Sequence, residues 1–269
     1  MNQSVVRNVE VAVVDEELEA TVFGCLCAYD VGSWKEEQAV CARPHDAATV
    51  YDEVYRAWPS DLGKQLSKSA RATFKTPLLP LVYGEIDFSS FSATLSKVRT
   101  FGGLPVGGSF YDLGSGVGRP CVAAAVGFPL SKAVGIEYLV ELHRVSKEAQ
   151  RRYEEFNASV DDATSIDFVR GDFTNLADCD WTDGDVVFAN STCFDTAMRV
   201  AVSACALRLR KGAFFVSSTR LFLPEHDFQT LSADLVSMSW GQATVFIQKK
   251  ITPPRQIPVT PVSPTWRPA

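Results

Sequence analysis

The residues best suited to chemistry begin with Phe110-Tyr111-Asp112-Leu113-Gly114-Ser115-Gly116-Val117-Gly118-Arg119-Pro120, an apolar run that enters a glycine-rich turn and then a helix. Glycines in such a turn let the backbone approach a ligand closely and take φ angles that a Cβ would forbid. Pro120 suits the first turn of the adjoining helix, where its missing N–H costs nothing, and Ala123, Ala124 and Ala125 let that helix lie close on a sheet. Glu137 ends the next apolar run, about twenty residues on, where an acid can accept hydrogen bonds from two ribose hydroxyls. Position 119 holds Arg119, not the third glycine of a dinucleotide fingerprint, and the Gly-Lys-Ser or Gly-Lys-Thr of a phosphate loop is absent. Asp112 would repel a pyrophosphate, yet it can accept, directly or through water, from a ligand that carries an ammonium group. The turn therefore points to an adenosyl cofactor without phosphate. Gly171-Asp172-Phe173 adds an acceptor for an adenine amino group and a ring to pack on the base, with a helix cap and a core residue as the plain alternatives.

These residues need elements to hold them. From about residue 77 onward short apolar runs alternate with amphipathic stretches, the sign of a mostly parallel sheet covered on both faces. Strands are expected over 109–113, 133–137, 166–169, 186–190 and 213–217. A helix between the second and third carries Leu142, Val145, Ala149, Tyr153 and Phe156 on one stripe, with Glu141, Lys147, Arg151 and Glu155 toward water. Strands over 235–240 and 243–248, joined at Gly241, predict a closing antiparallel hairpin. Before the sheet, 46–76 reads as helical through Val50, Val54, Ala57 and Trp58, broken at Pro59, with Ser60 as a cap for a second helix. The expected fold is a doubly wound, Rossmann-like α/β sheet of seven strands. Residues 1–76 form an N-terminal extension with a strand-like start and then helices, 77–250 the catalytic core, and 251–269 a Pro-rich tail.

Bulk properties exclude several classes. With 269 residues, 46% hydrophobic, the chain can bury a sizeable core, and a net charge of −6 argues against gripping a polyanion through overall charge. Nucleic-acid contact would have to be local. Lys64, Lys68, Arg71 and Lys75 fall on one helical stripe, and Lys249, Lys250, Arg255 and Arg267 add a second basic segment; a solvated face is the bland alternative for the stripe. Seven cysteines, odd in number and spread out, suggest reduced thiols without a disulfide framework. Cys25, Cys27, Cys41 and His45 have poor spacing for zinc, and no metal is expected. The longest apolar run, 121–130, is too short to span a bilayer, and Glu10 interrupts any leader-like start. Ser115 lacks the spacing of a hydrolase nucleophile elbow.

Val82-Tyr83-Gly84-Glu85, the turn from Asp112 to Gly118, Gly171-Asp172-Phe173, Phe188-Ala189-Asn190 with Phe194, and Ser239-Trp240-Gly241 together resemble the disruptor-of-telomeric-silencing family of non-SET histone lysine methyltransferases. The likeness runs from about Tyr83 to Gln248. It implies a class I methyltransferase that uses S-adenosyl-L-methionine to methylate a lysine on the globular core of histone H3. On the same basis Tyr83 and Glu85 fold over the cofactor, while Asp112, Gly114, Ser115, Gly116, Glu137, Asp172 and Phe173 hold it. Asn190 lies beside the transferred methyl. Phe194, Trp240 and Phe246 are candidate walls for the lysine channel, with strand or hairpin core as the other reading of each. A nucleosome partner, a nuclear site of action, a monomer and no membrane association are the corresponding expectations; the alternative activity is methylation of another protein or a small molecule. The chain departs from the family pattern at Arg119, at Ser191 in place of a second Asn, and at Phe246 in place of a tyrosine, and it lacks the family's long basic region.

Overall fold

The structure, a computed structural model, describes residues 46–73 and 81–255. Its strands are β1 (Ser109–Leu113), β2 (Lys132–Glu137), β3 (Ser165–Arg170), β4 (Val186–Ala189), β5 (Phe214–Ser218), β6 (Phe228–Met238) and β7 (Gly241–Lys250). Its helices are α1 (Ala47–Tyr55), α2 (Leu62–Arg71), α3 (Phe88–Thr100), α4 (Arg119–Gly127), α5 (Val140–Phe156) and α6 (Thr196–Ala206). All seven strands join one sheet in the order β3-β2-β1-β4-β5-β7-β6. The first five are parallel, and β7 runs antiparallel between β5 and β6.

Strand alternation divides the core in two. Phe110, Val186, Phe188, Phe214 and Val216 face a cluster shared with α1, α3, α4 and α5, whereas Tyr111, Leu113, Val187, Ala189 and Phe215 face one shared with α6 and Trp181. Helix α4 is buried at every position from Cys121 to Val126, as expected of a helix packed between a sheet and other helices. The Asp46, Asp87 and Asp195 carboxylates accept from Thr49, Ser90 and Met198 backbone N–H groups and so fix where α1, α3 and α6 begin. The sheet order reverses between β1 and β4, and at such a switch point the loops after neighbouring strands diverge and leave a crevice.

Four expectations need correction. Helix α2 starts after Asp61, not Ser60, and the Asp61 side chain accepts from Gln65 instead of capping the backbone. On α5 the buried face is Leu142, Ser146, Ala149 and Tyr153, with Val145 packed against it, while Phe156, the last residue of the helix, is exposed. The hairpin is longer than its apolar core, since β6 begins at Phe228; a register shift between Thr230 and Ser232 and its polar residues hid that half from pattern reading. The start of the tail docks on the fold. Asp227, fully buried, accepts two bonds from Arg255 at 2.6 Å and has Lys250 at 3.4 Å, and Lys249 lies 5.1 Å from the Phe214 ring. Three of the four cations offered as a second phosphate contact are thus engaged within the protein, and Arg267 lies outside the described residues. The Cys25, Cys27, Cys41 and His45 positions also lie outside them. Among the described residues no helix is long and apolar enough to cross a membrane.

Candidate active site

A cavity of about 300 Å³ opens at the switch point, beyond the carboxyl ends of β1, β2 and β4. Its floor is the glycine turn. Gly114, Gly116 and Gly118 have φ of 83°, 57° and 88°, the left-handed region that L side chains avoid. Gly114 and Ser115 N–H groups both donate to the Ile136 carbonyl, at 2.9 and 3.0 Å, so the turn is sewn to the end of β2. Glu137 completes the seam by accepting from Gly116 N–H at 2.8 Å and Leu139 N–H at 2.7 Å. Burial pushes its carboxyl above the ordinary range, and those N–H groups partly offset the push. The same side chain also lines the cavity.

Asp172 and Phe173 line the wall after β3, and the Phe173 ring stacks on Phe194 with centroids 5.4 Å apart. One Asp172 oxygen accepts from Thr174 N–H and hydroxyl at 2.8 and 2.7 Å, so the residue forms a turn and keeps its second oxygen for another donor. The roof is the strap 82–86. Asn190 Nδ2 donates to the Gly84 carbonyl at 2.9 Å, and Glu85 exchanges bonds with Ser239 at the hairpin tip, N–H to hydroxyl at 3.0 Å and carbonyl from N–H at 2.8 Å. Trp240 crosses Gly84 so closely that a Cβ at that position would overlap its ring. Tyr83 is held between Gly63 of α2 and Gly116 of the turn. Its hydroxyl donates to Glu85. Burial, then the Glu85 charge, keeps that phenol protonated.

The structure therefore brings Tyr83, Gly114, Glu137, Asp172, Phe173, Asn190, Phe194 and Trp240 to the cavity wall, and places Glu85, Asp112, Ser115, Gly116 and Phe246 off it. Glu85 is turned toward Arg119, Gly116 is covered by Tyr83, and Ser115 is buried behind the turn against Gly135. Phe246 alternates with Val245 and Ile247, which face the helical layer, so its ring takes the other face beside Ser217. Asp112 shares the Phe110 face beneath α4, where it is 1% exposed with one oxygen unpartnered. The Asn190 amide braces the strap: one N–H donates to Gly84, and its oxygen accepts from Ser218 at 2.8 Å and Thr192 at 3.2 Å, while the residue still lines the cavity. Thr192, Cys193 and Met198 also line the cavity and carry no motif that would have marked them, and Lys64, read from the sequence only as part of a basic stripe, reaches it too.

Burial, then the Glu137 charge, raises the Asp112 carboxyl well above its ordinary pKa. A folded value above the unfolded one favours the folded state fully only below about pH 4, and that contribution is lost as pH rises through the folded value. Asp112→Asn removes the charge and is expected to raise the ligand-free melting temperature at pH 8, by about 1–3 kcal/mol of stability, with little change at pH 4. Melting curves for both proteins between these limits check it; parallel curves would show that the carboxyl is not the source.

The fit to an adenosyl cofactor rests on the donor and acceptor set. Buried Glu137 faces a largely apolar chamber with lone pairs to spare for ribose hydroxyls, and Asp172 and Phe173 stand where a base would lie next to that ribose. Sheet order, glycine turn and cavity together define a class I, S-adenosylmethionine-dependent methyltransferase. Residues 73–243 match the family described as histone methylation protein DOT1. The chain belongs to that family and is a histone lysine methyltransferase. No curated protein matches it significantly in sequence. Similar solved structures include the Bacillus subtilis M1A22 tRNA methyltransferase TrmK, at 14% identity, covering 58% of this chain and 64% of that one with a TM-score of 0.44. The Bacillus subtilis YcgJ protein shows 10% identity, 62% and 100% coverage and a TM-score of 0.44. MtNAS in complex with MTA and tNA has 15% identity, 77% and 76% coverage and a TM-score of 0.44.

Proposed function

We propose that the enzyme acts as a monomer in the nucleus and methylates a lysine on the globular core of histone H3 within the nucleosome. The observation that carries the reading is the cavity itself, floored by the glycine turn, roofed by the strap and edged by exposed Trp240 and Val82. When bound, S-adenosylmethionine supplies a methyl group on a positively charged sulfur. Glu137 would accept from the ribose hydroxyls, and Asp172 with Phe173 would hold the adenine. Phe194 and Trp240 form an apolar approach that disfavours an ammonium and so helps the substrate lysine shed its proton. Asn190 and the hairpin tip keep the strap in place, which aligns the reacting groups and excludes water. Residues 77–250 serve as the catalytic core, with 1–76 as an extension and 251–269 as a tail. Lys68 and Arg71, with Lys64 at the cavity edge, offer a local basic contact for DNA or an acidic histone surface; Lys75 lies outside the described residues.

Labelled cofactor offered to nucleosomes, free histones and a metabolite extract tests the substrate. Label is expected on a core lysine of H3, with nucleosomes preferred over free histones. Label only on another protein or a metabolite would overturn the reading.

A further inference from the structure

Arg119 stands at the first position of α4, directly after the glycine turn, yet its side chain does not line the cavity. It turns back under the roof. Its Nε donates to Glu85 at 2.9 Å, its Nη1 donates to the Tyr51 hydroxyl at 3.3 Å, and its guanidinium carbon lies 4.3 Å from the centre of the Tyr55 ring. Tyr55 in turn donates to the Val117 carbonyl of the glycine turn at 3.2 Å. Arg119 and Glu85 are each only 15% exposed, so neither charge is well served by water if the other is removed. Glu85 is also the acceptor for Tyr83, whose ring covers Gly116.

We propose that Arg119 is a positioning residue that latches the strap shut over the cofactor cavity, with α1 as the fixed post. The inference rests on the reading of the cavity as the cofactor site. The turn and the strap are separate pieces of chain, and the ion pair ties them at the point where Tyr83 must lie flat on the turn. Tyr51 and Tyr55 hold the guanidinium from the far side, so that α1 gains a task in cofactor binding without touching the cavity.

A latch has a defined kinetic signature. If only a fraction of molecules has the strap closed, apparent cofactor affinity falls by that fraction, while saturating cofactor draws the population back to the closed form. Arg119→Gln is therefore expected to raise the Kd for S-adenosylhomocysteine and the KM for S-adenosylmethionine about tenfold, and to leave kcat at saturating cofactor within about twofold. Arg119→Lys, which keeps the charge, should recover much of the affinity. Adding Glu85→Gln to Arg119→Gln removes the uncompensated carboxylate and should also recover part of it. Calorimetry gives the Kd, and hydrogen exchange of 82–86 should be faster in Arg119→Gln and slowed by the ligand. Should Arg119→Gln fail to fold, Glu85→Gln alone carries the same expectation. Unchanged affinity in a folded variant, or a fall in kcat with Kd unaltered, overturns the latch. Failure of the parent protein to bind S-adenosylhomocysteine would instead overturn the cofactor reading.

Discussion

Glu137→Ala is expected to abolish useful binding of S-adenosylhomocysteine, with a loss of about 100-fold or more, since hydrogen bonds to a charged group contribute about 1.5–3 kcal/mol each. The effect has two sources. The carboxylate is the acceptor proposed for the ribose, and it also fixes Gly116 and Leu139 N–H groups that shape the floor. Without it, two backbone donors lose their partners in a buried place, so the ligand-free protein should also melt lower. Glu137→Gln separates the two, because its amide oxygen keeps one of the two backbone donors while its N–H₂ group is set against the other. It should bind more weakly than the parent and more tightly than the alanine variant. Calorimetry and melting curves with and without ligand check both statements. Parental affinity in Glu137→Ala would remove the ribose assignment.

The second large effect is expected on nucleosomes. A net charge of −6 makes the approach to a polyanion unfavourable overall, and salt screens it only beyond a Debye length of about 8 Å. Attraction must come from local cations. The tail no longer supplies Lys249, Lys250 and Arg255 freely, whereas Lys68 is exposed, and neither it nor Arg71 is in an ion pair with a described residue. Lys68→Glu should leave S-adenosylhomocysteine binding and melting temperature close to the parent, since this exposed side chain does not line the cavity, whereas Arg71 is half-buried, donates to Ser67 and is left in place. Activity on nucleosomes should fall about tenfold or more at low salt, and the gap to the parent should narrow as salt rises. Lys64 is left in place because it faces the cavity. Equal activity of variant and parent on nucleosomes would reduce the stripe to a solvated face.

Much of this molecule is legible without coordinates because the relevant signals are local. The alternation of apolar runs and amphipathic helices, the glycines at left-handed positions and the acid at the end of β2 each arise from neighbours a few residues apart. The family motifs belong to the same class of signal, and residues 73–243 carry them. Boundaries blurred where the local pattern weakened, as in the polar first half of β6, and at α2, where Ser60 and Asp61 both offered a cap.

Tertiary structure alone decided which motif residues face the cavity and how its roof is held. Asp112 and Phe246 each sit in a strand where alternation fixes which neighbours share a face, but not which face is covered by α4 or opens to the crevice. The strap is tied by Glu85 to Arg119, 34 residues away, by Gly84 to Asn190, 106 away, and by Glu85 to Ser239, 154 away. None of these pairs has a period or turn chemistry that would announce it. They exist because the sheet order brings the end of β4, the start of α4 and the tip of the hairpin to one crevice, and a polar group buried there must find its partner among whatever side chains the fold delivers.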